Sequence, residues 1–297
     1  MNHPDTDATR AGHVALAGRP NVGKSSLLNA LVGQHLAMVS SKAQATRIPV
    51  VGIRTDGGTQ YLFHDLPGLL EPSYLLQKRM LAAAQEALSK VDVILYLVPA
   101  TKAPAMPFLD AARLDREPVP PVITVYTKGD LLDPRARAAL QTTAPVVSAR
   151  TGEGLDRLLG VVRRHLPQRD LLCDPDDVGT QPLRFFATEF VREAAFEVLA
   201  QELPYAVAAE VDEFREDERP MYIRVTIVVE RDSQKGMVVG KGGRTIKRIG
   251  SLARARLEQL AGAPVYLDLW VKVLRNWRKS ASALTRFGLP QSDKETA

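Results

Sequence analysis

The sequence predicts an α/β domain with a mostly parallel sheet flanked by helices, followed by a smaller α+β domain. The chain has 297 residues, and single cores usually stop growing near about 250 residues. Residues 13–165 alternate short apolar runs with helical patterns, which is typical of a parallel sheet covered on both faces. Residues 165–182 then carry three prolines and four acidic residues without periodicity, which indicates a linker or a docking segment. We therefore expect domains at 11–166 and 183–290, joined by 167–182.

The strand candidates of the first domain are, in order, HVALAG, YLFHDL, VDVILYLV, VITVYT and PVVSA. The second domain is predicted to begin with an amphipathic helix from Arg184 to Leu203, followed by the alternating strands VAAEVDEF and YIRVTIVVE. A glycine-rich turn, a second helix, the strand VYLDLWVKV and a basic last helix within WVKVLRNWRKSASALTRF complete it.

Composition excludes several classes of protein. No apolar run approaches the roughly 20 residues that a membrane span needs, and the segment MNHPDTDATR has no apolar region of a signal or transit peptide. We therefore expect a cytoplasmic protein. The single cysteine, Cys173, excludes an internal disulfide and a thiolate metal site.

Charge is segregated along the chain. Residues 184–230 hold 5 basic and 11 acidic residues, whereas 231–297 hold 14 basic and 5 acidic ones. A basic end indicates a polyanionic partner, although a run of charge is more often a solvated face. Charge alone leaves that question open.

A phosphate-binding loop is indicated by GRPNVGKS, from Gly18 to Ser25, which follows an apolar strand and opens a helical run. The glycines allow consecutive N–H groups to point at a β-phosphate at a helix N-terminus. Lys24 can then reach the β- and γ-phosphates, and Ser25 offers a hydroxyl to Mg²⁺. A glycine turn before a helix by chance is the alternative.

The segment VITVYTKGD is the candidate for binding the base of the nucleotide. It places Thr127, Lys128 and Asp130 at the end of a strand. An ionised Asp130 accepts hydrogen bonds only, so it can take the ring N–H and the amino group of guanine, whereas adenine offers no matching donor. TKGD alone is a weak signal, with a solvated turn as the alternative. One strand later, Ser148 and Ala149 lie where a backbone N–H can contact the guanine carbonyl.

In the second domain, VVERDSQKGMVVGKGGRTIKRIG predicts a strand, a variable loop, a G-x-x-G turn and a helix, the arrangement of KH domains. Such a turn lets the backbone approach the phosphates of about four single-stranded nucleotides. The predicted RNA-binding residues are Lys235, Gly240, Lys241, Gly242, Gly243, Arg244, Lys247 and Arg248. A solvated basic face is the alternative.

From these motifs the chain resembles the translation-factor-related GTPases, and specifically the Era family, from about residue 12 to about residue 285. The resemblance identifies KAQATR as switch I, so that Thr46 supplies a second Mg²⁺ hydroxyl. It identifies DLPG as switch II, with Asp65 holding Mg²⁺ through water and the Gly68 N–H contacting the γ-phosphate.

The sequence departs from the family pattern at two positions. The family usually reads DTPG and NKxD, and this chain has Leu66 and Thr127 instead of the Thr and the Asn. Thr127 can still hydrogen-bond across to the phosphate loop.

Together these inferences give a catalytic set of Lys24, Thr46 and Gly68 and a metal set of Ser25, Thr46 and Asp65, with GTP or GDP and Mg²⁺ as cofactors. The nucleotide-binding set is Gly18, Arg19, Pro20, Asn21, Val22, Gly23, Lys24, Ser25, Ser26, Asp65, Gly68, Thr127, Lys128, Asp130, Ser148 and Ala149. Ras-type GTPases orient the attacking water with a Gln after the DxxG motif. That position is Leu69 here, so we expect slow hydrolysis.

The resemblance also implies partners. Era proteins bind small-subunit ribosomal RNA near its 3′ end, assist maturation of the 30S subunit and are partly found at the inner face of the membrane; we expect a monomer. The last helix, with Trp270 and Trp277, could serve the membrane or the RNA, or simply pack. An RNA-binding scaffold with a structural nucleotide and a P-loop ATPase with an RNA-binding tail are the alternatives to a GTP-driven switch.

Overall fold

The computed structural model describes residues 9–114, 120–289 and 291. It divides the chain into two compact units. The first unit comprises residues 1–37, 46–71 and 81–180, and the second comprises 38–45, 72–80 and 181–297. The first eight residues of MNHPDTDATR and the predicted domain end at residue 290 lie outside the described residues.

A five-stranded sheet forms the centre of the first unit. Its strands are β1 (Arg10–Ala17), β2 (Val50–Asp56), β3 (Thr59–Asp65), β4 (Val93–Pro99) and β5 (Val122–Thr127), in the order β2-β3-β1-β4-β5. β1 pairs in parallel with β3 and β4, β4 pairs in parallel with β5, and β2 is antiparallel to β3. Because the parallel strands end at one edge, the segments that follow β1, β3 and β5 meet there, where ligands bind in such sheets.

The helices of this unit are α1 (Lys24–Val32), α3 (Phe108–Ala112), α4 (Pro134–Gln141) and α5 (Leu155–Arg163), together with residues 81–88 of α2 (Leu75–Leu88), whose first residues belong to the second unit. α5 shows how the pattern sets the fold, since it buries a stripe at helical spacing, Leu155, Leu158, Leu159 and Val162. The mostly parallel α/β fold predicted from the sequence is confirmed.

Two strand predictions need correction. β2 was not among the strand candidates; it is half polar, with Arg54 and Thr55, and forms a hairpin with β3 through Gly57 and Gly58. PVVSA forms only an isolated bridge, Tyr126 to Val146. The chain turns at once after it, where the Gly152 N–H donates to the Ser148 carbonyl.

The first unit includes residues 167–180 of the predicted connecting segment. The Gln60 amide donates to the Cys173 carbonyl at 3.0 Å, and its oxygen accepts from Leu172 N–H at 2.8 Å. Further on, the Ile53 N–H donates to the Val178 carbonyl at 2.9 Å. Of the two interpretations, linker or docking segment, these contacts favour the second.

The second unit contains α6 (Leu183–Val198), β6 (Ala208–Arg215), β7 (Met221–Val229), α7 (Asp232–Val239), α8 (Arg244–Ala261), β8 (Val265–Val273) and α9 (Ala281–Arg286). The sheet order is β6-β7-β8, with β6 antiparallel and β8 parallel to β7. Its core combines aromatic side chains of α6 with apolar side chains of β7 and α8, among them Phe186, Phe190, Ile223, Val225, Ile249 and Leu257. The predicted α+β fold is confirmed.

Three details of this unit differ from the sequence prediction. α6 ends at Val198 rather than Leu203. A helix, α7, replaces the variable loop; it is initiated by Gln234, whose side-chain oxygen accepts from the Arg231 N–H at 3.1 Å. The last helix does not include residues 270–280, because Trp270 belongs to β8 and Trp277 to a 3₁₀ turn.

No helix among the described residues is both long enough and apolar enough to span a bilayer.

Candidate functional site

The phosphate loop lies between β1 and α1. Gly18 has φ of +152° and Gly23 of +99°, and a Cβ on Gly18 would come within 2.6 Å of the Leu97 carbonyl oxygen. Only glycine fits there. α1 starts at Lys24 with no side-chain cap, so the first-turn N–H groups face the loop, as anion sites require.

Lys24 is folded into this loop and almost fully buried. Its ammonium donates to the Arg19 carbonyl at 3.2 Å and lies 3.4 Å from that of Gly18. Burial lowers the pKa of Lys24, and the charge of Asp65 opposes that shift. A buried ammonium held mainly by neutral carbonyls is suited to an anionic ligand in the loop.

An all-oxygen cluster joins the ends of α1 and β3 to residue 46. Asp65 Oδ2 accepts from the Ser25 hydroxyl at 2.7 Å and from the Thr46 hydroxyl at 2.9 Å, and the two hydroxyls lie 3.2 Å apart. Asp65 is fully buried, and its Oδ1 accepts no hydrogen bond from any residue that the structure describes. Burial raises the pKa of Asp65, whereas the charge of Lys24 lowers it. Mg²⁺ prefers oxygen ligands of this kind.

The segment after β3 is held against the phosphate loop. A Cβ on Gly68 would lie 2.9 Å from Pro20, so the backbone of Gly68 approaches the loop as only glycine can. The Leu69 N–H donates to the Gly18 carbonyl at 2.9 Å. The Leu69 side chain is buried in the core with Leu66.

A cleft of about 320 Å³ opens beside the loop, at the end of β5. The Thr127 hydroxyl donates to the Val22 carbonyl at 2.6 Å, the contact across to the loop that the sequence predicts. The Lys128 ammonium donates to the Asn21 carbonyl at 2.9 Å. The cleft is lined by Gly23, Ser26, Leu27, Thr127, Lys128, Asp130, Leu131, Val147, Ala149 and Arg150.

Asp130 is held by two neighbours. Its Oδ1 accepts from the Ser148 hydroxyl at 2.6 Å, and its Oδ2 accepts from Nη2 and Nε of Arg150 at 2.7 and 2.9 Å. The hydrogen bond from Ser148, with those from Arg150, lowers the pKa of Asp130. The Ser148 N–H is committed to the Glu153 carbonyl, so Ala149 is the one of the two predicted backbone donors that lines the cleft.

The sequence reasoning missed Arg150. Its Nε and Nη2 both donate to Oδ2 of Asp130, and its side chain is 72% exposed. The sequence did contain a signal for this role, because Arg150 directly follows Ser148 and Ala149.

In the second unit, the G-x-x-G turn connects α7 to α8. Gly240, Gly242 and Gly243 have φ of +72°, +59° and +75°, and a Cβ on Gly240 would meet Thr245 Oγ1 at 2.1 Å. α8 begins at Arg244 without a side-chain cap. Basic side chains surround this uncapped end, all exposed: Lys235, Lys241, Arg244, Lys247 and Arg248. N–H groups and cations together suit a phosphate backbone.

The second unit also holds residues 38–45, which precede Thr46. The Glu193 carboxylate accepts from the Val39 N–H at 2.9 Å, and the Lys42 ammonium donates to the Leu199 carbonyl at 2.7 Å. The Arg192 guanidinium donates to the Ala45 carbonyl. Thus α6 carries the segment that leads into Thr46, a role that the sequence reasoning did not assign to it.

Residues 72–80 are anchored similarly. Arg79, at the start of α2, is buried, and its Nη1 donates to the Ala281 carbonyl at 3.0 Å, the Thr285 hydroxyl at 3.0 Å and the Leu289 carbonyl at 3.1 Å. The start of α2, which follows the Gly68 segment, is therefore fixed to α9 and the residues after it.

Comparisons with known proteins agree with these two sites. Residues 13–128 match the family described as 50S ribosome-binding GTPase, and residues 202–278 match the KH domain family. The chain is 40% identical to the GTPase Era of Geobacter metallireducens, over 94% of this chain and 97% of that one. It is 39% identical to the GTPase Era of Pseudomonas fluorescens, over 96% and 98%.

Two solved structures resemble the whole fold, each with a TM-score of 0.87 and 34% identity over 95% of this chain and 100% of the other. One is an Aquifex aeolicus Era variant bound to GDP and AlF₄⁻. The other is an Era in complex with MgGDPNP and nucleotides 1506–1542 of 16S ribosomal RNA. Likeness at this identity over nearly the full length shows the family, and the chain therefore belongs to the Era family of GTPases.

Proposed function

We propose that this GTPase is a slow guanine-nucleotide switch that binds small-subunit ribosomal RNA near its 3′ end and assists maturation of the 30S subunit. The observation that carries the nucleotide half is the Ser25, Thr46 and Asp65 cluster, with an unpartnered buried carboxylate oxygen beside the buried Lys24. We further propose a GTPase domain at 11–166 and a KH-type domain at 183–290, joined by 167–182.

In this proposal the phosphates lie in the loop from Gly18 to Ser26 and accept from its N–H groups and from Lys24. Ser25, Thr46 and Asp65 would hold Mg²⁺, which would supply positive charge beside the β- and γ-phosphates. The fit of Mg²⁺ to this cluster is supported by its candidate ligand atoms, which are all oxygens.

Asp130 reads the base in the cleft beside the loop. Its carboxylate accepts two hydrogen bonds from the Watson–Crick edge of guanine once Arg150 has swung into solvent, while the Ser148 hydroxyl keeps it in place. Thr127 and Lys128 brace the cleft against the phosphate loop through Val22 and Asn21. An acceptor in the cleft that adenine leaves unpaired disfavours ATP.

Hydrolysis then depends on electrostatic stabilisation by Lys24, the loop N–H groups and the Gly68 N–H. Leu69 offers no side-chain group to orient water, because it has no polar atom and is packed in the core. The expected rate without a partner is therefore low, and the protein acts as a timer.

The G-x-x-G turn supplies the RNA half. Lys241, Gly242 and Gly243 approach the phosphates, while Lys235, Arg244, Lys247 and Arg248 neutralise charge. A relative with 34% identity has been solved in complex with nucleotides 1506–1542 of 16S ribosomal RNA, which supports the same class of RNA here.

The switch requires the two halves to communicate, and residues 38–45 and 72–80 provide a route. Ala45 is held by Arg192 of α6, and Thr46 follows it directly in the chain. A change at Thr46 when the γ-phosphate leaves would therefore pull on α6, which shares a core with the KH sheet. Coupling of this kind is reciprocal between nucleotide and RNA.

We place the protein in the cytoplasm as a monomer. The membrane association that the resemblance implies gains no support from residues 270–286, because Trp270 lies on β8 and Trp277 is fully buried.

The test is to measure binding of GTP, GDP and ATP together with a single-stranded RNA copy of the 16S 3′ region, on the full chain with Mg²⁺. The proposal expects GTP and GDP to bind, ATP not to compete, and RNA affinity to differ between the GTP-analogue and GDP forms. Equal RNA affinity in both forms, with no hydrolysis, would instead identify an RNA-binding scaffold with a structural nucleotide.

A further inference from the structure

One face of the KH sheet presents aromatic rings to solvent. On β8, Leu269 points toward α8, since a Cβ on Gly250 would meet its Cδ1 at 3.3 Å. Residues alternate between faces along a strand, so Tyr266, Asp268 and Trp270 lie on the opposite face. Tyr266 is 58% and Trp270 is 59% exposed. We call this surface, with Tyr222 of β7, the aromatic face.

Cross-strand contacts fix its rings in position. Tyr222 is opposite Tyr266 in register, and their rings stack with centroids 5.7 Å apart and an interplanar angle of 12°. Trp270 Nε1 donates to Asp268 Oδ2 at 3.0 Å. Arg224 Nε donates to the same oxygen at 2.9 Å, and the Arg215 guanidinium lies 4.9 Å from the Tyr222 ring centroid. Rings already held in place lose little entropy on binding.

Its border is acidic. The β6–β7 hairpin, residues 210–218, holds six acidic residues and one basic residue. The two arginines at the face are already paired: Arg215 with Glu213 and Glu218, and Arg224 with Glu213 and Asp268. In the same unit, the G-x-x-G turn is basic. RNA phosphates therefore favour the turn and are repelled by the hairpin, whereas cations are attracted to the hairpin.

We propose that the aromatic face docks an arginine- and lysine-rich segment of a partner protein. Cations of that segment stack on Tyr266 and Trp270, as Arg215 already stacks on Tyr222, and pair with carboxylates of the hairpin. Exposed Trp and Tyr side chains on a rigid support are typical centres of protein interfaces. This surface shares no residue with the nucleotide site or the G-x-x-G turn, so the inference does not depend on their assignments.

The chain contains a built-in reporter. It has two tryptophans, Trp270, which is 59% exposed, and Trp277, which is fully buried. Acrylamide quenching of fluorescence therefore reports mainly on Trp270. We expect a labelled 15-residue peptide of alternating arginine and glycine to bind the full chain saturably and to protect Trp270 from acrylamide.

The variants separate ring stacking from simple charge attraction. Tyr266→Ser with Trp270→Ser removes no charge and should weaken peptide binding at least tenfold. Glu216→Lys, Asp217→Lys and Glu218→Lys together should weaken it similarly. Met106→Ser, an exposed apolar residue of the first unit, is the matched control and should bind as wild type does.

The RNA arm of the experiment uses a 12-nucleotide single strand. Its affinity should be unchanged in the Tyr266→Ser, Trp270→Ser variant and unchanged or higher in the hairpin variant. Peptide affinity that survives loss of both rings would overturn the proposal. A tenfold loss of RNA affinity in the ring variant would overturn it too, because it would make this face an RNA surface.

Discussion

Glu189 and Arg192 form an ion pair inside the second unit, with 3.0 Å between Oε1 and Nη1 and side chains only 6% and 5% exposed. The same guanidinium donates to the Ala45 carbonyl. A buried pair contributes little net stability compared with apolar residues of similar volume. Its distinctive effect here is to fix the position of the residue before Thr46.

We predict that Glu189→Leu combined with Arg192→Met removes the difference in RNA affinity between the GTP-analogue and GDP forms while the protein stays folded. Removing both charges avoids the cost of about 3–5 kcal/mol for stranding one buried charge. RNA titrations in both nucleotides, with thermal unfolding alongside, make the measurement. Arg184→Met is the control on the same helix, since the Arg184 guanidinium donates to the Val211 carbonyl, and it should keep the difference in RNA affinity between the two nucleotide forms. If the double variant also keeps that difference, α6 does not couple the two sites.

Replacing Asp130 by Asn should lower GTP affinity and raise relative affinity for xanthosine triphosphate. An amide can donate to the carbonyl that replaces the amino group of guanine. Competition binding with the two nucleotides measures this change in relative affinity. Asp133→Asn, at the N-cap of α4, is the control and should leave both affinities near wild type. Undiminished GTP binding by the Asp130 variant would mean that another group reads the base.

Leu69→Ala should leave single-turnover hydrolysis within about tenfold of wild type, because no catalytic side chain is lost. It should lower stability by about 2–5 kcal/mol, since the leucine is buried and leaves a cavity. Leu66→Ala removes a neighbour from the same core and should behave alike in both assays. A thousandfold loss of rate confined to the Leu69 variant would reveal a catalytic role for that residue.

Acid should destabilise the first unit through His64. Its Nε2 lies 2.9 Å from Nδ1 of His13, and burial, with the charge of His13, lowers its pKa to about 4. An unfolded histidine titrates near about 6.5, so between these values the unfolded state binds more protons. The stability that His64 contributes is therefore present above about pH 6.5 and is lost as the pH falls toward 4.

Urea unfolding from pH 4.5 to 8 measures this effect. His64→Leu should flatten the pH dependence by an amount of the order of 2 kcal/mol across the window. His165→Gln, which removes an exposed histidine, should keep the wild-type slope. If the His64 variant has the wild-type slope, the acid sensitivity arises elsewhere.

Spacing in the sequence predicted the fold class and most of the groups that the structure brings together. Ser25 and Asp65 belong to separate motifs, yet a parallel sheet must bring the ends of its strands to one edge, so their meeting was predictable. Thr46 precedes the antiparallel strand β2, and only the family resemblance assigned it to this cluster. The contact between Arg192 and Ala45 was not predictable, because the two residues are 147 positions apart. A helical pattern does not indicate which distant segment packs on the helix. The available signal was a pair of opposite charges three residues apart, Glu189 and Arg192, within an apolar stripe of α6.

Local chemistry likewise explains the missed elements. The KH arrangement predicted a variable loop before the G-x-x-G turn, whereas Gln234 initiates a helix there by accepting from the backbone of Glu230 and Arg231. Trp270 and Trp277 were both predicted to lie in one basic last helix. The alternation of β8 continues through Trp270, and the Trp277 indole instead donates to the Ala206 carbonyl at 2.9 Å.

The last prediction concerns the G-x-x-G turn. Lys241→Asp with Gly242→Asp should abolish RNA binding while GTP affinity stays near wild type, because two negative charges would face the RNA phosphates. The backbone tolerates the change, since nothing lies within 4 Å of a Cβ on Gly242 and Asp adopts its positive φ more readily than most residues do. Lys241→Asn with Gly242→Asn is the matched control: it has the same shape and backbone preference without the added charge, and it should retain part of the affinity.

The RNA affinity of the wild-type protein should fall with salt at a log–log slope of about −0.7 per phosphate neutralised on a single strand. That slope should flatten when Lys247 and Arg248 are replaced by Gln. Filter binding at several salt concentrations, in the GTP-analogue and GDP forms, measures all of these quantities. Full RNA affinity in the Asp variant would remove the turn from the RNA site, and equal loss in the Asp and Asn variants would assign the effect to backbone strain rather than to charge.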